Sequence, residues 1–440
     1  MTKQVTEREL VLAILMEVTQ QNAVLEKYQY LEKKERAFIT RVTEGTLEHM
    51  IELDYILNQF SKVKVNKMKP VIRNILRSAV YQLKYMDSVQ DSAVCNEAVK
   101  LAVKKGFGTL RGFVNGVLRN VARGLDQVEY PAEGIERLSV VYSMPEWILK
   151  LWKKTYDLDV IESMLQAFQE ETPVTIRCNL AKTTPENLKE SLQKEGVTVP
   201  PHPYLSYAFR IQDYDHLSEL ESFQKGEFYV QDISSMLVGE LADPKKGDRV
   251  IDVCAAPGGK ALHVAEKLRG TGSVEARDLS LYKVGLITEN IERSGLTNIH
   301  AVQKDATVCD ADVKDAADLV IADLPCSGLG VLAKKTDLKY KATEQSTKEL
   351  AGLQREILKN AASYVRPGGT LIYSTCTINP AENIENVHWF LKEFPEFVLD
   401  PIADRLCSTL QNSVEEAGCL QLLPGIHKSD GFFIARFGKK

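Results

Sequence analysis

The residues of this chain best suited to chemistry are one glycine-rich turn, a run of aspartates and two cysteines. The segment Val250-Ile251-Asp252-Val253-Cys254-Ala255-Ala256-Pro257-Gly258-Gly259-Lys260 runs from an apolar stretch through glycines into a helix expected over Ala261–Leu268. In doubly wound folds a ligand sits beyond the carboxyl end of the first strand, and a side chain at Gly258 or Gly259 would block close approach to the backbone. The segment does not fit the dinucleotide fingerprint G-x-G-x-x-G. With Ala261 after Lys260 it also lacks a Walker-type ending, so a pyrophosphate ligand is disfavoured. Asp278, Asp305 and Asp323 follow at the ends of the second, third and fourth expected strands. An acid after the second strand is well placed to accept hydrogen bonds from ribose hydroxyls. Any one of these aspartates could be an ordinary helix N-cap. Three in register behind a glycine loop point to a nucleoside-bearing ligand without a phosphate clamp, a description that S-adenosylmethionine fits.

The thiols are Cys326, in Asp323-Leu324-Pro325-Cys326-Ser327-Gly328, and Cys376, in Tyr373-Ser374-Thr375-Cys376-Thr377. Both belong at strand carboxyl ends facing the same crevice. A single buried cysteine is usually a small hydrophobe. That reading is kept for Cys95, Cys178, Cys309, Cys407 and Cys419, and for Cys254 as an attacking group. The paired placement of Cys326 and Cys376 argues for chemistry instead. No Cys-x-x-Cys occurs and the seven histidines are scattered, so no metal is expected.

The elements that must position these groups come from periodicity. Short apolar strands are expected at Arg249–Cys254, Gly272–Arg277, Ile299–Gln303, Ala317–Ala322, Gly369–Ser374 and Gly431–Phe437. They alternate with helices, which predicts a Rossmann-like α/β domain over 226–440 built on a parallel sheet. Residues 126–225 read as a small α+β module: a helix around Trp147 and Trp152 with Ser143 as a candidate N-cap, a strand near Val174–Leu180, a helix over Pro185–Glu195 and a strand from Val197. At their spacing Trp147 and Trp152 are expected to serve helix packing rather than base stacking. Residues 1–125 read as an all-α domain, with helices over Glu7–Thr19, Lys33–Phe60 and Pro70–Tyr85.

A net charge of -5 hides an asymmetry. Residues 1–125 carry 20 Lys and Arg against 13 Asp and Glu, whereas the remainder carries 35 against 47. Basic residues gather at Lys62, Lys64, Lys67 and Lys69 and again at Lys104, Lys105, Arg111, Arg119 and Arg123. A solvated face would look the same, so charge alone is a weak sign of phosphate binding. The opening stretch Met1–Leu10 has no signal-peptide pattern and no apolar run reaches the ~18 residues that span a bilayer, so a cytoplasmic address is expected.

Two resemblances sharpen this reading. The run Arg73-Asn74-Ile75-Leu76-Arg77-Ser78-Ala79-Val80-Tyr81-Gln82-Leu83, with Asn96-Glu97-Ala98-Val99 and Phe113-Val114-Asn115-Gly116-Val117-Leu118-Arg119, resembles the RNA-binding helical domain of the antitermination factor NusB over most of residues 5–125. Cys95 stands where that family has an aliphatic residue. The glycine-loop, Pro-Cys and Ser-Thr-Cys motifs together resemble the RNA cytosine-C5 methyltransferases, the NOL1/NOP2/Sun family, over roughly residues 140–440. That resemblance implies S-adenosyl-L-methionine held by Cys254, Ala255, Ala256, Pro257, Gly258, Gly259, Lys260, Asp278, Asp305 and Asp323. It implies Cys376 as nucleophile, Cys326 as the thiol needed for release, and Asp323 near N3 of the target base. With a NusB-like domain in front it implies a bacterial enzyme for small-subunit (16S) ribosomal RNA, met unassembled or early in assembly; another RNA, such as tRNA or large-subunit rRNA, stays open. Departures are Ala261-Leu262, where Thr-Thr is common, and Arg277 before Asp278.

Three rivals remain at this level. A DNA cytosine methyltransferase would take its nucleophile from the Pro-Cys motif, a nicotinamide oxidoreductase would need the missing glycine fingerprint, and a non-catalytic RNA-binding factor would not need two intact thiols.

Overall fold

The computed structural model describes residues 5–21, 33–170 and 172–440, so the first four residues of the Met1–Leu10 stretch lie outside the described residues. The chain opens on α1 (Glu7–Gln20), started by a capping box in which Thr6 and Glu9 satisfy each other's backbone N–H. The expected long helix to Phe60 is two, α2 (Lys33–Glu48) and α3 (Met50–Phe60), broken at His49, whose ring stacks on Tyr85 at 4.2 Å. That break is set by tertiary packing, since no proline or glycine marks it. Then come α4 (Pro70–Tyr85), with Pro70 in the first turn, α5 (Asp91–Lys104), α6 (Arg111–Gly124), α7 (Gly134–Val141), α8 (Glu146–Trp152) and α9 (Leu158–Gln169). The stripe Ile72, Ile75, Leu76, Ala79 and Val80 is buried against Leu15, Val114 and Leu118.

Ser143 is not the cap of α8. It sits at φ 48°, and its hydroxyl accepts from the Glu52 backbone N–H at 2.9 Å, while Pro145 holds the cap position. Trp152 is fully buried and stacks on Phe168.

The small module has β1 (Val174–Cys178), α10 (Pro185–Lys194), β2 (Ala208–Ile211), α11 (Glu221–Gln224) and β3 (Phe228–Val230) in an antiparallel sheet of order β2-β1-β3. The strand expected from Val197 shrinks to isolated bridges, among them Thr198 to Gln212, because Pro200 and Pro201 cannot donate to a ladder.

The rest is α12 (Ile233–Ala242), β4 (Arg249–Asp252), α13 (Gly259–Lys267), β5 (Ser273–Asp278), α14 (Leu281–Ser294), β6 (Ile299–Gln303), β7 (Ala317–Asp323), α15 (Leu338–Lys341), α16 (Glu344–Tyr364), β8 (Val365–Thr375), α17 (Ile384–Glu393), β9 (Phe397–Leu399), α18 (Ser408–Gln411), β10 (Val414–Glu416), β11 (Cys419–Leu422) and β12 (Phe432–Lys439). The sheet order is β10-β11-β12-β8-β7-β4-β5-β6, with β9 also on β12. The five strands from β8 to β6 are parallel, as their alternation with helices requires. The expected all-parallel sheet is corrected at the other edge, where β12 runs antiparallel to β8 and β11 to β12. β11 and β12 follow each other without a crossover helix, and such neighbours can pair only in that sense.

Alternate residues of each parallel strand face opposite layers. Val250, Leu319 and Ile321 pack with Leu237 of α12 and Leu262 of α13; Ile251, Val320 and Leu371 pack with Ile357 of α16 and Phe390 of α17. Burial on both faces leaves the strand ends as the places where polar groups can gather.

The chain divides into two compact units. The first is Met1–Gln169 with Leu332–Ala342, and the second is Glu170–Val331 with Thr343–Lys440. α15 therefore packs with the helices of the first unit: Lys339 is buried and donates to the Glu48 carbonyl at 2.8 Å, and the Tyr340 hydroxyl reaches the Ser143 carbonyl at 3.3 Å. No described helix is long and apolar enough to cross a membrane.

Candidate active site

Every group at the site stands at the carboxyl end of a parallel strand in the second unit. Asp252 ends β4, Asp278 ends β5, Asp323 ends β7 and Thr375 ends β8. The register pairs Asp323 with Ser374, which brings the two cysteine loops together although fifty residues separate Cys326 from Cys376 in sequence.

The glycine loop turns sharply after β4. The Ala256-Pro257 bond is cis, and Gly258 sits at φ 109°, a conformation that L side chains rarely adopt, before α13 begins. At Gly259 a Cβ would meet only the Gln231 side chain at ordinary contact distance. Conformation therefore requires glycine at 258, while at 259 the protein itself leaves room and any demand comes from the ligand side.

Asp278 is buried and organises the loop. Its Oδ2 accepts from the Ala256 N–H at 3.0 Å, its Oδ1 accepts from the Leu279 N–H at 2.8 Å, and Lys283 lies 3.1 Å away. Oδ1 is shared by Leu279 and Lys283, while Oδ2 keeps a lone pair for a hydroxyl donor. Asp252 is fully buried, accepts from the Cys254 N–H through Oδ1, and has no partner for Oδ2 among the described residues. Burial and then the Asp323 charge push its pKa up to about 7. Asp305 is exposed. Its Oδ1 accepts from both the hydroxyl and the backbone N–H of Thr307, which holds its carboxyl below the usual range. Burial pushes the Cys254 thiol up, in keeping with a packing role. Arg277 is buried and bridges Glu275 and Asp310.

A pocket with an unpartnered buried carboxylate oxygen, a second carboxylate with one oxygen open to a further donor and no phosphate-binding residue pattern suits a cationic nucleoside better than a nucleotide. S-adenosylmethionine, with its ribose diol and sulfonium charge, has the matching donors.

Beyond the loop, the ammonium of Lys260 lies 2.7 Å from Asp323 Oδ2, and the Ser374 hydroxyl donates to Asp323 Oδ1 at 2.7 Å. Burial opposes the charge on Lys260, but Asp323 and Asp252 offset it, so the ammonium is held above the ordinary lysine range. The two sulfurs, Cys326 Sγ and Cys376 Sγ, stand 3.2 Å apart. The neighbouring Cys376 sulfur and burial raise the pKa of Cys326 well above that of a free thiol.

Two supports of this arrangement escape sequence reasoning. Gly330 donates its N–H to the Cys376 carbonyl at 3.1 Å and accepts from the Gly431 N–H at 2.8 Å; a Cβ there would lie 1.9 Å from the Gly431 carbonyl oxygen. Glu382 is fully buried and accepts from the Ser327 N–H (2.8 Å), the Ser327 hydroxyl (2.6 Å), Asn379 Nδ2 (2.9 Å) and Gln354 Nε2 (3.1 Å). One carboxylate thus ties the residue after Cys326 to the turn that follows Cys376. The signal available in sequence is Asn379-Pro380-Ala381-Glu382-Asn383, a turn pattern placed directly after the second thiol.

Comparison with known proteins gives the same picture along the chain. A family model described as 16S rRNA methyltransferase RsmB/F matches residues 240–438. The NusB family model matches 5–123, and an RsmF/B-like ferredoxin-like domain matches 144–215. A probable ribosomal RNA small subunit methyltransferase B of Bacillus subtilis is 37% identical over 417 residues, covering 94% of this chain and 93% of its own. A probable ribosomal RNA small subunit methyltransferase B of Synechocystis is 32% identical and covers 99% and 100%. Among solved structures, PH0851 aligns with a TM-score of 0.81 at 25% identity over 99% of both chains. NSun6 from Pyrococcus horikoshii, solved with SFG, aligns with a TM-score of 0.59 at 25% identity, covering 67% of this chain and 98% of that one.

Proposed function

Because the chain belongs to the RsmB/F family of 16S rRNA methyltransferases, which use S-adenosylmethionine, we propose that it methylates C5 of a cytosine in small-subunit rRNA through a covalent adduct of Cys376 with C6. The observation that carries this reading is the pair of thiols 3.2 Å apart beside Asp323. Cytosine C5 is too poor a nucleophile to take a methyl group unaided, and a thiolate added at C6 turns the ring into an enamine that can. When bound, S-adenosylmethionine supplies the electrophilic methyl group. Asp323, held by Lys260 and Ser374, is assigned to the N3 and N4 edge of the ring, where its carboxylate accepts from the N4 amino group and, carrying a proton, donates to N3 and so drains charge from the ring during attack. The C5 proton must then leave so that the S–C6 bond can break, and Cys326 is the thiol assigned to that release. The target base must be unpaired or flipped out, since C5 and C6 are otherwise sandwiched in the stack. The cytoplasm is the compartment in which this substrate is made.

The test is direct. Full-length protein incubated with a 16S rRNA transcript and S-adenosylmethionine should yield 5-methylcytidine on nucleoside analysis, at a site unmethylated in cells lacking the gene. Methyl transfer to any other position of the base or ribose would overturn the reading.

Asp278 and Asp305 are taken to bind the cofactor, with Cys254 to Lys260 as the loop around it. Asp278→Ala would remove the ribose acceptor and also release the Ala256 N–H. S-adenosylmethionine should bind about 1.5–3 kcal/mol more weakly in calorimetry, the usual size for hydrogen bonds to a charged group. Unaltered affinity would remove Asp278 from the cofactor site.

Lys62, Lys64, Lys67 and Lys69 are exposed around the turn between α3 and α4 and form no ion pair among the described residues, whereas Lys104 and Lys105 are drawn to Glu9. The first four are the better candidates for phosphate binding. Replacing all four by glutamine should flatten the dependence of RNA affinity on salt by about 0.7–0.9 in log–log slope for each phosphate they neutralise. Deleting residues 1–125 is a poorer test, because it strips Lys339 of its partner. An unchanged slope would make the patch a solvated face.

A further inference from the structure

The first unit contains a cavity of about 430 Å³ that no step above uses. Its walls come from α1, α2, α3 and α4 and from the 332–342 segment, with Thr19, Arg73, Arg77, Asp337, Tyr340 and Lys341 among the lining residues. Its charges do not cancel. Arg77 is committed to Asp54 by two hydrogen bonds, from Nε at 2.6 Å and Nη2 at 2.5 Å, and Lys341 is paired with Asp337 at 2.6 Å. Arg73 forms no ion pair among the described residues, and its Nε is buried with no hydrogen-bond partner. Burial and the neighbouring Arg77 weaken its hold on a proton, and Asp54 offsets this only in part. The buried Nε is closed to a ligand as it is to water, so what Arg73 offers the cavity is the outer edge of its guanidinium, whose Nη groups make no hydrogen bond among the described residues. A volume of this size falls within the ~300–1,000 Å³ range that holds small molecules.

We propose that this cavity is a binding site for one nucleotide of the RNA substrate, with its phosphate on Arg73. The ligand must be an anion with at least two acceptor oxygens, because the guanidinium offers a planar fork that matches phosphate geometry. The half-buried Tyr340 ring lines the same cavity, and stacking on such a ring is the usual partner of a backbone contact in single-stranded RNA recognition. Within the sequence, the wall segment begins only six residues after Cys326, so one stretch of chain serves both the release thiol and this site. The inference rests on RNA being the substrate and adds a phosphate-binding residue outside the exposed lysine patch.

The experiment compares wild-type, Arg73→Gln and Arg73→Lys proteins, each full length, for binding to a 16S rRNA transcript across a salt series. S-adenosylmethionine affinity by calorimetry and thermal unfolding are measured in parallel. Since Arg73 Nε bonds nothing inside the protein, Arg73→Gln breaks no internal bond there and should leave both parallel measurements unchanged. Transcript binding should weaken on the order of tenfold, and the log–log salt slope should fall by about the share of one phosphate, ~0.7–0.9. Arg73→Lys should keep the slope while losing part of the affinity, because charge survives and the fork does not. Affinity and slope equal to wild type in Arg73→Gln would overturn the site. A wild-type protein whose transcript binding is absent or indifferent to salt would overturn the RNA reading itself, and this site with it.

Discussion

Mixed with substrate RNA and S-adenosylmethionine, Cys326→Ala protein should run on a denaturing gel as an RNA-linked band, and Cys376→Ala protein should not. The expectation follows from the order of bonds. Cys376 sulfur bonds to C6, the displaced electron pair makes C5 nucleophilic, C5 gains the methyl group, and loss of the C5 proton expels the sulfur again. Without Cys376 the ring is never activated, so methylation should fall to background with no adduct. Without Cys326 attack and methylation proceed and release stalls, so the adduct accumulates. The double variant should lose the band. The geometry allows this division because it sets the two sulfurs 3.2 Å apart at one site. If the two cysteines were only packing, both alanine variants would show similar mild losses. A trapped band from Cys376→Ala would exchange the roles, as in enzymes that attack with the Pro-Cys thiol.

The other large effect is expected from a residue that touches no substrate. Glu382→Ala would strip the acceptor from four donors, the Ser327 N–H and hydroxyl, Asn379 and Gln354, inside a fully buried network. Each unsatisfied donor costs about 1–3 kcal/mol before relaxation, and the sum after relaxation should be about 3–5 kcal/mol of stability. Glu382→Gln is the sharper variant, since it keeps the shape but points an NH2 group at donors. It should lower the thermal midpoint less than alanine does, yet in the Cys326→Ala background it should slow adduct formation at saturating S-adenosylmethionine. A positioning role predicts that slowing with cofactor affinity unchanged. Full adduct yield at the wild-type rate would reduce Glu382 to a local stabiliser.

How much of the fold and site is legible in the sequence depends on whether the signal is local. The glycine loop, the aspartates after successive strands and the two thiol motifs are each contained in a few consecutive residues whose types are dictated by backbone conformation or by chemistry. The same holds for Pro70 opening α4 and for the buried stripe behind it. At Asp305 the bonds to Thr307 fit an ordinary cap as well as they fit a ligand role, so the two readings that its sequence allows both survive. Ser143 misleads because its position after a turn imitates a helix cap, whereas its hydroxyl serves a backbone N–H ninety-one residues away.

By itself the sequence determined the alternation of strand and helix, the parallel core of the sheet, the basic and acidic parts of the chain and the motifs that end its strands, because hydrophobic periodicity and residue chemistry are properties of short stretches. Only the tertiary structure decided that β12 pairs antiparallel at the sheet edge, that α2 and α3 part at His49, and that α15 packs with the helices of the first unit. It also decided that Asp252 is buried with an oxygen unpartnered and that Glu382 secures both thiol loops. These are matters of which distant segments meet, and the energy that settles them is the burial of apolar area and the pairing of polar groups that adjacency in the chain does not encode.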